Sequence, residues 1–298
     1  MQSRHPTTGR AFPVTEYANP RALVDTAWVA EHLHDPAVKI VEVDVETEAY
    51  YEDGHVPGAL CWNWQTDLQD PVRRDILARE QMEALLSRSG IRPEDTIVLY
   101  GDNNNWFAAY AYWQLKLYGH EDVRLMNGGR KKWVAEGREL SRDVPRPAPS
   151  SYTISHVHEE LRAKQPFVLA SIGQRALVDV RSPQEFRGEI LAPPGMQETA
   201  QRAGHIPTAV NVPWSKAVND DGTFKAPEEL RRLYEEAGVT PDKDVITYCR
   251  IGERSSHTWF VLKELLGFKD VRNYDGSWTE WGSMVGTPIE NPSRTEGR

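Results

Sequence analysis

Two kinds of hydrophobic spacing alternate along the chain. Val38–Val43, Thr96–Tyr100, Val123–Met126 and Val245–Tyr248 are short runs dominated by Val, Ile, Leu and Tyr. Their length and composition predict strands buried in a sheet. Gln81–Ser89, Trp106–Tyr118 and Gly129–Glu136 carry apolar residues at helical spacing instead. After Val245–Tyr248, residues Trp259, Phe260, Leu262, Leu265 and Leu266 repeat that spacing, and Gly267 closes the run. Ser255 and Ser256 are candidate N-caps for this helix. Strand–helix alternation predicts an α/β fold, a parallel sheet with helices on both faces. Ligands in such folds sit beyond the carboxyl ends of the strands.

The pattern occurs twice. Ile97-Val98-Leu99-Tyr100 lines up with Val245-Ile246-Thr247-Tyr248, and at the same offset Gly119 meets Gly267, Gly128 meets Gly276 and Trp133 meets Trp281. Upstream, Gly54-His55-Val56-Pro57 matches Gly204-His205-Ile206-Pro207, and Asp44 is matched to Asp179 at a shorter offset. The second copy therefore carries an insertion near Glu189 to Arg202, read as a surface loop. The chain divides into an extension (1–22), a first unit (23–140), a proline-stiffened linker (141–151), a second unit (152–290) and a tail (291–298).

Composition narrows the class. With 39% hydrophobic and 27% charged residues the chain can fill two cores. A net charge of −9 argues against nucleic acid or an acidic membrane as partner. The sequence opens without a basic-then-apolar leader, and no apolar run approaches a membrane span, which favours a cytoplasmic location. The two cysteines, Cys61 and Cys249, are too far apart for a metal motif or a disulfide framework, and no metal or organic cofactor is expected.

The chemistry concentrates in Cys249-Arg250-Ile251-Gly252-Glu253-Arg254-Ser255. Cys249 falls at a strand end and the following residues begin a helix, so backbone N–H groups face the sulfur. Arg250 and Arg254 add charge, and both effects favour the nucleophilic thiolate. Cys61, flanked by Leu60 and Trp62, reads as a core residue. The first copy has Gly101, Asp102 and Trp106 opposite Cys249, Arg250 and Arg254. It keeps the scaffold without the thiol and is expected to pack on the second copy and wall the pocket, with Trp106 read equally as a wall residue or as interface packing. Asp179 with Arg181 reads as structural support. His205, repeated as His55 in the copy without the cysteine, reads as a packing element, and Asp275 as a turn residue.

These residues resemble the tandem-domain rhodaneses, specifically the bacterial thiosulfate sulfurtransferases, over about Leu23 to Glu290. The loop from Cys249 to Ser256 carries the match, supported by Gly204-His205-Ile206-Pro207, Asp275-Gly276-Ser277-Trp278 and Asn127-Gly128-Gly129. The resemblance implies two rhodanese-like domains, the N-terminal one inactive and the C-terminal one catalytic. It also implies a double displacement through a persulfide on Cys249. Thiosulfate gives its outer sulfur, sulfite leaves, and cyanide or a thiol accepts the sulfur. Arg250 to Ser255 would bind the donor, and no general base is needed if the thiolate is already formed.

Two departures from the family pattern are visible. Ile251 replaces the lysine of mammalian rhodaneses, and Glu253 puts a carboxylate in an anion-binding loop, where it is expected to point outward. Three rival readings stand beside this one. Mercaptopyruvate sulfurtransferases use an arginine where this chain has Glu185, with Arg187 as a candidate substitute. Cysteine phosphatases of this fold place the loop arginine one position later, at Ser255 here. A non-enzymatic binding module is the remaining alternative.

Overall fold

The computed structural model describes residues 16–195 and 200–295. Most of the expected extension, part of the expected insertion and the last residues of the tail lie outside them. Two parallel sheets form. The first holds β1 (Leu23–Val24), β2 (Val38–Asp44), β3 (Leu60–Asn63), β4 (Thr96–Tyr100) and β5 (Val123–Met126), in the order β1-β5-β4-β2-β3. The second holds β6 (Ala176–Asp179), β7 (Val210–Asn211), β8 (Val245–Tyr248) and β9 (Val271–Asn273), in the order β7-β6-β8-β9. The counterpart of β1 in the second sheet is reduced to a single parallel bridge, Arg162 to Asn273. Crossover helices include Arg79–Arg88, Trp106–Leu117 and Gly129–Ala135 in the first copy and Pro227–Glu235, Glu253–Phe260 and Ser277–Trp281 in the second.

One hydrophobic core runs through both copies. The helix Trp106–Leu117 is buried on nearly every side, as an apolar sequence without a polar face must be. It packs on the helix Glu253–Phe260, with Tyr112 edge-on to Phe260 at 4.8 Å between ring centres. Trp106 meets Trp214 at 5.2 Å. The first copy therefore supports the helix that starts at the cysteine loop. The described start of the extension belongs to this arrangement too. Ala18 and Asn19 donate to the carbonyls of Leu265 and Glu264, and the Tyr17 hydroxyl to that of Lys225. No helix among the described residues is long and apolar enough to cross a membrane.

Strand register corrects one repeat assignment. Tyr248 pairs with Asp179, whereas Tyr100 pairs with Glu42. The counterpart of Asp179 is thus Glu42, and Asp44 corresponds to Arg181. The shift is two residues, which leaves every side chain on its original face, so alternation alone does not reveal it. Both copies bury a carboxylate–guanidinium pair here, built from different positions. Arg181 binds Asp179 at 2.6 Å and the Gly204 carbonyl at 2.7 Å. Arg130 binds Glu42 at 2.7 Å and the Gly54 carbonyl at 2.6 Å. His205 stacks on Phe186 and His55 on Tyr50, so both histidines are packing elements.

Candidate active site

β8 delivers Cys249 to the carboxyl edge of the second sheet, and the loop then turns sharply. Gly252 makes that turn at φ 101°, and a Cβ there would lie 2.8 Å from the Asp275 Cα. Only glycine fits both the conformation and the space. Gly252 is the cap of the helix Glu253–Phe260. Ser255 and Ser256, expected as N-caps, lie inside the first turn and donate back to the Gly252 carbonyl at 3.0 and 2.8 Å. With glycine supplying the turn, no side-chain cap is needed.

The loop curls around the sulfur. The Gly252 N–H donates to Cys249 Sγ at 3.1 Å. The Cys249 amide is held by Ser277 Oγ at 3.0 Å, while the Trp278 and Thr279 amides hold the carbonyls of Cys249 and Arg250. Ser277 is left-handed at φ 52°, as is its first-copy counterpart Gly129 at 55°. A side chain in that conformation is strained, and here its hydroxyl anchors the loop. Asn273 adds a brace by donating to the Gly252 carbonyl at 3.2 Å and accepting from Ser255 at 2.6 Å. Ser277 and Asn273 were not singled out in the sequence, although Asp275-Gly276-Ser277-Trp278 signalled a turn there. Asp275 itself is tied to Arg162 by two bonds of 2.8 and 2.7 Å.

The electrostatics differ from the expectation. Cys249 is fully buried, and burial pushes its thiol up, with Glu253 adding to the effect. Arg254 and hydrogen bonds from Ser255 pull it down without reversing the direction. Glu253 does not point outward. It is 1% exposed, and its Oε2 lies 3.5 Å from Sγ, where it accepts the thiol hydrogen. Its Oε1 is 3.9 Å from both the Arg250 and Arg254 guanidinium groups, which hold it inward. Arg254 is also bound by Glu185 through two bonds of 3.2 Å. Among the described residues, no group of acidic, histidine or cysteine side chains is arranged to hold a metal ion.

A cleft of about 760 Å³ opens above the loop, lined on one side by Arg250, Ile251 and Glu253 and on the other by Trp64, Trp106 and Asp102 of the first copy. Trp106 thus faces the Cys249 loop from across the repeat boundary. Arg187 does not join the cleft. It is half exposed and pairs with Glu189 at 2.6 Å. Asp179 and Arg181 are fully buried behind the site, with the Arg181 guanidinium 4.5 Å over the Trp278 ring. Cys61, read as a core residue, is half-buried. It sits at the end strand β3, and burial, with Glu42 and Asp44 nearby, pushes its thiol up to about 12.

Two parallel sheets repeat one strand order, and a cysteine cradled by the loop backbone follows a central strand of the second. The comparisons identify this arrangement. The rhodanese-like domain family matches at residues 25–136 and again at 161–284. The chain belongs to the rhodanese family and is a sulfurtransferase of rhodanese type. A Saccharopolyspora erythraea protein provisionally named thiosulfate sulfurtransferase is 59% identical over 91% of this chain and 96% of its own length. The sulfur carrier protein TtuD of Thermus thermophilus is 58% identical over 92% of this chain and 98% of its own. Among solved structures, the 3-mercaptopyruvate sulfotransferase SseA of Escherichia coli superposes with a TM-score of 0.76 at 26% identity, covering 86% of this chain and 98% of SseA.

Proposed function

We propose that this protein is a thiosulfate sulfurtransferase. Cys249 sulfur attacks the outer sulfur of thiosulfate, a new S–S bond forms, and the old one breaks with its electron pair leaving on sulfite. The persulfide then yields its outer sulfur to cyanide in an assay or to a thiol in the cell, and the Cys249 sulfur is regenerated. In its persulfide state the chain carries sulfur, in keeping with the name of its Thermus relative. The Gly252 N–H and the Arg250 and Arg254 guanidinium groups stabilise charge that builds on the reacting sulfur and on the departing sulfite. The first domain is catalytically inactive in this reading and supplies the Trp106 wall. A cytoplasmic location suits a thiol that must return to its reduced form each cycle.

The observation that carries the choice of donor is Glu185. It occupies the position where the resemblance places the arginine of mercaptopyruvate enzymes. It is buried, negative and committed to Arg254 through both oxygens. Its own carboxyl is held below the ordinary range by Arg254, against the opposing effect of burial. Buried and paired with Arg254, it offers the carboxylate of 3-mercaptopyruvate no cation, and Arg187 is turned away to Glu189. The phosphatase reading fares worse, because Ser255, where such an enzyme carries its arginine, spends its hydroxyl on Gly252 and Asn273. The test is a comparison of kcat/KM for thiosulfate and 3-mercaptopyruvate with cyanide as acceptor. A higher value for thiosulfate is expected, and a large preference for mercaptopyruvate overturns the assignment.

A further inference from the structure

The two copies hold the end of their central strand with different side chains. The frame around that strand end is the same in both. The Arg130 N–H donates to the Gly101 carbonyl at 3.1 Å, and its counterpart, the Trp278 N–H, donates to the Cys249 carbonyl at the same distance. In the first copy the Gly101 N–H donates to Asn105 Oδ1 at 3.0 Å, and Asn105 Nδ2 donates to the Met126 carbonyl at 2.7 Å. In the second copy the matching amide is that of Cys249 and the matching carbonyl that of Tyr274. Ser277 Oγ bridges them, accepting from the first at 3.0 Å and donating to the second at 2.7 Å. The same two backbone groups are thus joined in both copies, by a loop residue in one and by a residue of the neighbouring helix in the other.

The two bridges exclude each other. Ser277 corresponds to Gly129, and a Cβ added at Gly129 would lie 2.4 Å from Asn105 Oδ1. Asn105 corresponds to Glu253, which takes no part in the bridge and has its Oε2 3.5 Å from Sγ instead. The loop backbones differ accordingly. Asn103, Asn104 and Asn105 are all left-handed, at φ 50°, 55° and 66°, whereas the loop after Cys249 is left-handed at Gly252 alone. In that course the Gly252 N–H reaches Sγ at 3.1 Å. The serine bridge carries a conformational cost, because Ser277 keeps at φ 52° the left-handed backbone that Gly129 adopts freely at 55°.

We infer that Ser277 is a positioning residue for sulfur transfer: by tying the Cys249 amide from outside the loop, it leaves the loop to cradle the sulfur, and the strained serine is retained for its hydroxyl. The inference rests on the persulfide reading of Cys249. Ser277 acts through the backbone of Cys249. Its hydroxyl fixes the peptide from which the cysteine side chain springs, and so the line along which the sulfur meets its donor. A reacting atom displaced by about 1 Å costs roughly 100-fold in rate. The first copy, with glycine at this position and no thiol, has no sulfur to aim and carries its bridge inside the loop.

The test uses the full chain with Ser277→Gly and Ser277→Ala. Both remove the hydroxyl, and only alanine keeps the strained backbone. Two quantities are read: the thermal melt, and the single-turnover gain of one sulfur on Cys249, followed by intact mass over a range of thiosulfate concentrations at a temperature where every variant is folded. Ser277→Gly should melt higher than Ser277→Ala. Both should nevertheless be slowed alike, by about 10- to 100-fold in limiting rate, with little change in the half-saturating thiosulfate concentration. A rate that follows the hydroxyl and ignores the melt marks positioning. If Ser277→Gly gains sulfur at the wild-type rate, or if the loss of rate tracks the melting temperature across the two variants, Ser277 is a structural element only and the inference is wrong. If the wild type takes no sulfur from thiosulfate but takes it from 3-mercaptopyruvate, the donor assignment fails, and the same comparison with that donor decides for or against Ser277. If neither donor loads Cys249, the inference falls together with the persulfide reading.

Discussion

Replacing Gly252 with alanine probes the loop amide that points at the sulfur. Gly252 sits at φ 101°, beyond the left-handed well that other residues tolerate, and an added Cβ would meet the Asp275 Cα at 2.8 Å and its carbonyl oxygen at 2.9 Å. Backbone strain of this kind costs about 1–3 kcal/mol. Crowding a packed site adds roughly 1–3 kcal/mol. At about 2–4 °C per kcal/mol, the melting temperature should fall by roughly 4–24 °C. The functional cost has a separate source. Relief of the clash must move the loop away from Asp275 and carry with it the N–H that now lies 3.1 Å from Sγ. A hydrogen bond to a charged group is worth about 1.5–3 kcal/mol. Losing it as charge builds on the sulfur should slow persulfide formation roughly 10- to 100-fold, at about 1.4 kcal/mol per factor of ten. The assay is single-turnover sulfite release at a temperature where the variant remains folded. A variant that melts lower but reacts at the wild-type rate refutes the role given to this amide. One that melts as the wild type does refutes the strain argument as well.

Two further substitutions test the surroundings. Gly101→Cys places a thiol where the first copy lacks one, but its Cβ would lie 2.3 Å from the Val43 carbonyl oxygen. It should lower the melting temperature and add no second persulfide, as peptide mapping after thiosulfate treatment will show. Glu185→Gln removes one partner of a buried ion pair, at a cost of about 3 kcal/mol or more. Because Arg254 depresses the folded-state pKa of Glu185, the wild-type pair contributes stability above the unfolded carboxyl pKa of about 4.3. That contribution is lost as pH falls through the folded value. The gap between the melting temperatures of wild type and variant should therefore narrow as the pH falls from about 6 toward 3. An unchanged gap across that range counts against a charged Glu185.

Much of the fold was legible because its signals are local. β4, β5 and β8 have the bounds that their apolar runs indicate, and the helix Trp106–Leu117 ends one residue before its sequence limit. The tandem repeat was legible because glycines and tryptophans recur at a fixed offset. The match of Asp44 to Asp179 failed because a two-residue slip preserves the inside–outside alternation of a strand, and only pairing with Tyr100 and Tyr248 distinguishes the registers. Cys249 stood out because charged neighbours and glycine are foreign to a core. The orientation of Glu253 was not legible, because it depends on partners distant in the chain. Glu185, far upstream, anchors Arg254, and the anchored arginine then draws Glu253 inward. The raised thiol has a similar origin, since burial under the first copy is a tertiary property. Arg187 lay close to Glu185 in sequence, but the short helix Pro183–Arg187 leaves the glutamate buried and the arginine at the surface.

The central claim is that one buried sulfur accepts a sulfur atom from thiosulfate and holds it covalently. Intact-mass spectrometry of the full chain after brief exposure to thiosulfate, followed by peptide mapping and then addition of cyanide, tests it most directly. The account requires a gain of one sulfur atom on the peptide containing Cys249, lost again with cyanide and absent from Cys249→Ser. No mass gain, or a gain that maps to Cys61 or survives Cys249→Ser, contradicts it.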